Sequence, residues 1–155
     1  MKTLIAYFTW SNNTKTIVKK INREMKCDVL QIERKIPYST DYHTCAYVEA
    51  KEEAEKKLFP EIEELHVNVR EYDRVLLFFP IWWYTLPMPV ATFVKQIRDY
   101  QGEVIVFENS YTNDPQYPVN VMRDLRSIAP EVNFREGLFN QPVKKHLEFL
   151  KERGI

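Results

Sequence analysis

The chain has 155 residues, with 22 basic and 22 acidic side chains and a formal net charge of zero. That length suits a single domain, residues 1–155, with a sizeable core. No cationic excess is present to displace counterions, which argues against a strong non-specific nucleic-acid binder.

Thr3 to Phe8 (TLIAYF) is almost continuously apolar and rich in branched and aromatic residues. A strand without alternation is covered on both faces, as in parallel sheets. The next stretch, Thr9-Trp10-Ser11-Asn12-Asn13-Thr14, leads into a helix pattern over Lys15 to Met25, where Ile17, Val18 and Ile21 share a face. Val29 to Arg34 alternates in part and reads as an edge strand. Ile36 to Thr44 is loop-like. Ala46 to Leu58 favours helix, and the charged stretch to Leu65 reads as a solvated helix face interrupted at Pro60. Val75 to Phe79 (VLLFF) is a second doubly covered strand, followed by Pro80-Ile81-Trp82-Trp83-Tyr84-Thr85-Leu86-Pro87-Met88-Pro89. Pro89 to Tyr100 places Val90, Phe93, Val94 and Ile97 on one helix face. Val104 to Phe107 is the fourth strand, and a polar loop from Glu108 to Pro118 follows it. Val119 to Ile128 is helix-patterned, Asn133 to Phe139 is a fifth strand, and Val143 to Arg153 closes the order, with Gly154 as C-cap.

Alternation of strands and helices predicts one parallel sheet with helices on both faces. In such a sheet, ligands bind at the carboxyl ends of the strands, where strand order reverses. The loop after the first strand offers hydroxyls, amides and the free N–H groups of a helix N-terminus, a combination that holds phosphate without a cation. Asparagine tolerates left-handed backbone angles, so Asn12 or Asn13 can stand in for a missing glycine. The same residue types are also ordinary N-caps. The loop is neither G-x-x-x-x-G-K-[ST] nor G-x-G-x-x-G, and G-x-S-x-G occurs nowhere, which disfavours a P-loop NTPase, a dinucleotide-binding Rossmann domain and an esterase-type nucleophile elbow. Trp82, Trp83 and Tyr84 leave a central strand at the same edge and suit a flat aromatic ligand. One of the two tryptophans is expected to pack into the core. The third loop, with Asn109, Ser110, Tyr111 and Tyr117, emerges beside them. A phosphate at one end and a planar ring at the other describe flavin mononucleotide, FMN.

Cys27 and Cys45 match no redox or zinc spacing and read as ordinary thiols. His43, His66 and His146 lie far apart and predict no metal site; they read as solvated or hydrogen-bonded. No side chain stands out as a general acid or base, so no catalytic residue is assigned. No apolar run approaches a membrane span, and Met1 to Leu4 runs straight into a strand, so no signal peptide is read and a cytoplasmic location is expected.

The stretches "YFTWSNNTK", "IPYSTDY", "DRVLLFFPIWWYTLPMPVATFV" and "VKKHLEFLKERGI" together resemble the flavodoxin-like family, in particular bacterial members with W-S-G-N-T and P-I-W-W-G loops. The resemblance implies a three-layer, doubly wound five-stranded sheet of order 2-1-3-4-5 with FMN at the strand ends. It implies that Thr9, Ser11, Asn12, Asn13 and Thr14 hold the phosphate, with Trp10 in the same loop. Pro80, Ile81, Trp82, Trp83 and Tyr84 then lie beside the isoalloxazine ring, and the loop from Asn109 closes the other side. Three departures stand out: Asn12 and Tyr84 occupy family glycine positions, and the third loop carries Tyr111 to Pro118 in place of a glycine-serine cluster. The first function implied is an FMN electron-transfer protein, with a redox partner protein or a small-molecule acceptor, as a monomer or weak homodimer. The neutral charge favours an alternative, a small FMN-dependent NAD(P)H or quinone reductase. The absent loop glycines leave a third, a fold that has lost FMN and acts as an interaction protein.

Overall fold

The computed structural model describes residues 1–155. Five parallel strands, β1 (Thr3–Tyr7), β2 (Asp28–Gln31), β3 (Arg74–Pro80), β4 (Glu103–Asn109) and β5 (Asn133–Phe139), form one sheet of order β2-β1-β3-β4-β5. The expected order 2-1-3-4-5 is the observed one. The pleat divides the apolar runs between two cores. Leu4 and Ala6 of β1, Val75, Leu77 and Phe79 of β3, and Val104 and Val106 of β4 face α3 (Met88–Gln96) and α4 (Gln116–Ile128). Ile5, Tyr7, Leu76, Phe78, Ile105 and Phe107 face α1 (Asn13–Met25) and α5 (Val143–Glu152). Strands apolar on both faces are therefore strands between two helix layers. Each large side chain fully buried here, such as Phe79, Phe93 or Leu125, contributes roughly 1.5–3 kcal/mol of transfer free energy.

Helix ends follow local chemistry. α1 starts at Asn13, two residues before the expected Lys15, because Asn12 already turns the chain. It ends where Lys26 goes left-handed and donates to Asn22 O at 3.0 Å. α4 starts at Gln116 rather than Val119. The Asp114 carboxylate accepts from Gln116 N at 2.9 Å, and Pro118 in the first turn lacks only an N–H that would have no helical partner. Gly154 is left-handed at φ 73° past α5, as its reading as a cap requires.

Two expectations need correction. The edge strand ends at Gln31, not Arg34: Ile32 N still donates to Tyr7 O at 2.7 Å, but Glu33 to Lys35 turn to pair antiparallel with Glu61 to Glu63. The charged segment after it is not a wholly solvated face. It opens as a π-helical stretch (Thr44–Ala50), started by Asp41, whose carboxylate accepts from Thr44 N and Oγ1. It continues as α2 (Lys51–Lys56) and stops at left-handed Lys57, before Pro60. Glu53 in its middle is buried.

β5 is bulged opposite Val106 to Glu108. Gly137 sits at that bulge, where a Cβ would come within 2.6 Å of the Phe107 ring and of Val106 O. No helix is long and apolar enough to cross a membrane.

Candidate functional site

β1 makes its last sheet bond through Phe8 N to Phe78 O at 3.0 Å, and the chain then leaves the sheet. Asn12 takes φ 71°, ψ 2° and makes no side-chain cap bond. Its carbonyl accepts from Thr16 N and Thr16 Oγ1 at 3.0 and 2.9 Å, which fixes the first turn of α1. The amides of Thr9 through Lys15 donate to no protein acceptor. Left-handed Asn12 and the start of α1 gather them at one concave turn, with the positive end of the helix dipole behind it. Thr9 is half-buried and Ser11 exposed, and neither hydroxyl has a partner. Thr14 is buried, and its Oγ1 donates to Asn109 Oδ1 at 2.8 Å. Asn13 Nδ2 reaches Tyr111 OH at 3.3 Å. The first and third predicted loops thus meet at Thr14 and Asn109.

The second loop is joined to the third through Ile81 N and Asn109 O at 2.9 Å. Beyond Pro80 and Ile81 it closes into a two-residue hairpin: Trp82 and Thr85 exchange both backbone bonds, at 2.9 and 3.3 Å. Trp83 and Tyr84 at its tip have φ 49° and 72°. Positive φ at both central residues defines a type I′ turn, usually built with Asn-Gly. Two aromatic residues there cost on the order of 1–3 kcal/mol each in backbone strain, so the surroundings must hold them. Trp83 Nε1 donates to Ala46 O at 2.8 Å, and Asn120 Nδ2 donates to Tyr84 O at 2.9 Å. Thr85 Oγ1 donates to Asp124 Oδ2 at 2.6 Å. Trp82 packs edge-on against Phe8 and Tyr38, at the border of the core. Trp83 lies against Tyr47 of the π-helical stretch. Both indoles are half-buried, so neither is swallowed by the core.

In the third loop, Ser110 N donates to Asn140 Oδ1 at 3.1 Å, and Asn140 N donates to Glu108 O at 2.7 Å. Asn140, left-handed at φ 53°, therefore pins this loop from the end of β5. Tyr111 is 90 % exposed, touching the phosphate loop only through Asn13. Tyr117 packs between Tyr84 and Phe139.

All fifteen residues expected at the site lie on three loops or on the strand and helix ends that flank them, at one sheet edge, and Thr14, Ile81 and Asn109 tie those loops together. Several partners were not singled out from the sequence. Asn120, Asp124 and Asn140 hold the loops from neighbouring elements, where only the register of the fold brings them. Tyr38, Ser39, Tyr42 and Tyr47 line the edge from the segment after β2. Glu108 is buried on the α3–α4 side of β4, and its Oε2 has no partner. Burial, assisted by the neighbouring Glu136 charge, pushes its carboxyl up to about 8. His146 is buried between Phe78 and Phe107 on the other face, with Nδ1 unpartnered, and burial pushes it down. It is neither solvated nor fully hydrogen-bonded, as histidines here were expected to be. Cys45 is buried and pushed up to about 11 by burial, which makes it a poor nucleophile. Two shallow depressions of about 420 and 460 Å³ open near the amino ends of the strands, around Asn133 and around Thr3, and include none of the loop residues.

The residues present fit FMN. Seven unpartnered amides and free hydroxyls supply an anion cradle. The two positions where family glycines would stand keep the left-handed backbone those glycines would supply.

The flavodoxin family model matches residues 2–151. Among solved structures, a flavoprotein in complex with FMN from Lactobacillus acidophilus is similar at 25% identity and TM-score 0.77, over 90% of this chain and 93% of that one. Its apo form, solved by NMR, matches at 27% identity and TM-score 0.68, over 90% and 92% of the two chains. A flavoprotein from Bacteroides eggerthii shares the fold, with 24% identity and TM-score 0.83 over 99% and 98%. No curated protein matches the sequence.

Proposed function

The chain belongs to the flavodoxin family, and on that premise we propose that it binds FMN non-covalently at the three-loop edge and serves as an electron-transfer protein. The observation that carries this reading is the backbone of Asn12 and Tyr84, at φ 71° and 72°. Both hold a left-handed backbone at the positions of family glycines, Asn12 at little cost and Tyr84 with backbone strain. Thr9, Ser11, Asn12, Asn13 and Thr14 would hold the phosphate through amides and hydroxyls. Pro80 to Tyr84 would flank the ring on one side, with Asn109, Ser110, Tyr111 and Tyr117 on the other. Bound FMN supplies one- and two-electron chemistry, and the protein supplies its position and surroundings. Asn13 to Tyr111 and Thr14 to Asn109 hydrogen-bond the phosphate loop to the third loop.

The acceptor is a redox partner protein or a small molecule, with the chain working as a monomer or weak homodimer. A reductase is the second reading. It is favoured by the rings exposed at this edge, Tyr42, Tyr47 and Tyr84, which suit a planar substrate.

A fluorescence titration of the purified protein with FMN tests the cofactor. Saturable quenching at low FMN concentration is expected. A folded protein that leaves FMN fluorescence unchanged would falsify the proposal and point to the interaction-protein alternative. Rapid NAD(P)H oxidation by the FMN-loaded protein alone would replace the carrier with the reductase.

A further inference from the structure

Outside the three loops, a polar cluster lies beneath the segment after β2. Tyr38 is buried, and its hydroxyl donates to Glu53 Oε1. Arg34 Nε donates to Glu53 Oε2 at 3.2 Å, and its guanidinium lies 4.3 Å from the centre of the Tyr38 ring. One turn earlier on the same helical segment, Glu49 Oε1 accepts from Ser39 N at 2.7 Å. Glu49 and Glu53 are four residues apart and so project from one face. Together they grip two consecutive residues, Tyr38 and Ser39.

Those two residues reach the two halves of the site. Ser39 O accepts from Trp10 Nε1 at 3.1 Å, which ties it to the phosphate loop. The Tyr38 ring stands edge-on to Trp82 at 5.3 Å and to Phe8 at 6.4 Å, which ties it to the ring-flanking loop. The same helical segment also holds Trp83 through Ala46 O. The hydroxyl of Tyr38 is kept a proton donor: burial and the adjacent Glu53 carboxylate both push its ionisation far above the usual phenol range.

We propose that Tyr38 and Ser39, clamped by Glu49 and Glu53, form a strut that sets the spacing between the phosphate loop and the ring-flanking loop, and so act as positioning residues for FMN. This rests on the FMN reading of the site. Two features set the strut apart from a contact that only stabilises the fold. Its ends land on Trp10 and Trp82, one in each half of the site. Each end also gives its hydrogen bond to a different carboxylate, Tyr38 to Glu53 and Ser39 to Glu49, so the two bonds can be cut one at a time although both acids face Arg34. A rigid ligand that must satisfy both loops at once gains affinity when their separation is set before it binds.

The test measures affinity for FMN and for riboflavin, which lacks the phosphate, by flavin fluorescence quenching, alongside the thermal midpoint without flavin. Tyr38→Phe keeps the ring and removes the hydroxyl. It is expected to weaken both flavins, FMN by about tenfold, on the scale of one lost hydrogen bond. Glu49→Ala removes the grip on Ser39, together with a longer ion pair to Arg34 at 3.9 Å, from a residue at the half-buried rim. It is expected to weaken FMN several-fold and riboflavin little, since its end of the strut reaches the phosphate loop. This split between ligands is a readout that loss of general stability would not produce. If Tyr38→Phe folds poorly, Glu49→Ala alone decides the question. Variants that bind both flavins like the wild type overturn the strut while leaving the FMN site intact. Equal losses for the two flavins in Glu49→Ala overturn it as well. A wild-type protein that ignores both flavins overturns the FMN reading and the strut with it.

Discussion

Two glutamates are buried on the same side of the sheet, and they differ in company. Glu53, 5 % exposed, has both oxygens engaged, by Tyr38 OH and by the Arg34 guanidinium. Glu108, 6 % exposed, has an Oε2 with no partner and a like charge, Glu136, nearby. Burial pushes both carboxyls up. At Glu53 the pull of Tyr38 and Arg34 opposes it; at Glu108 nothing does. Burying a carboxyl is a cost in either place, and the partners determine whether the group is a fastener or a liability. Glu53 fastens the segment that leans on the candidate site. Glu108 sits one residue before Asn109, where the first and third loops meet.

The largest expected effect comes from breaking the partnered acid. Glu53→Ala takes the nearer carboxylate from the Arg34 guanidinium, which is 20% exposed and keeps Ile36 O and the more distant Glu49, and leaves the Tyr38 hydroxyl unpaired. A loss of about 3 kcal/mol is expected, near the lower end for breaking a buried pair because Arg34 keeps some water. Urea denaturation at pH 7 measures it, and a loss under 1 kcal/mol would mean that the cluster is decorative.

The unpartnered acid should behave in the opposite way. The folded protein holds the Glu108 carboxyl at about 8 against an ordinary value of 4.5. Below the lower value the group is protonated in both folded and unfolded chains, and its neutral form favours folding fully. Between the two values the unfolded chain releases a proton that the folded chain keeps, so stability falls as pH rises. Above about 8 both states are ionised and the loss is complete. Glu108→Gln removes this slope. The variant should match the wild type near pH 4 and exceed it by on the order of 2–4 kcal/mol at pH 9. Parallel stability curves for the two proteins across that range would refute the assignment.

The sheet was legible in the sequence because its physics is local. LIAYF, VLLFF and VIVF are apolar at every position, which only a strand covered on both faces permits. The placement of the fifteen candidate residues at one edge was legible because a known strand order carries three loops there. The strut was not. In KEEAEK, Glu53 looks like its neighbours Glu52 and Glu55, and nothing near it announces a partner at Tyr38, fifteen positions upstream. Left-handed Trp83 and Tyr84 were hidden for a related reason. A type I′ turn normally advertises itself with asparagine and glycine, whereas here Ala46 O, Asn120 and Asp124 hold the turn from outside its own sequence. His146, between two phenylalanine rings, shows the same limit: its helix position was readable, and its lack of a partner for Nδ1 was not.

The smallest effect sharpens the contrast between the two acids by removing only a charge. Burial is the larger cause of the Glu108 shift and Glu136 the smaller. Glu136 is exposed on β5, where water and salt screen it. Glu136→Gln should therefore lower the Glu108 midpoint from about 8 by less than roughly one pH unit and leave most of the shift in place. Raising the ionic strength of the wild type should shift the midpoint the same way, and should do little in the variant. NMR titration of the Glu108 side-chain carboxyl carbon reads both. A midpoint that drops to the ordinary carboxylate range in Glu136→Gln would mean that charge, not burial, governs this acid, and the comparison with Glu53 would then concern neighbours rather than hydrogen-bond partners.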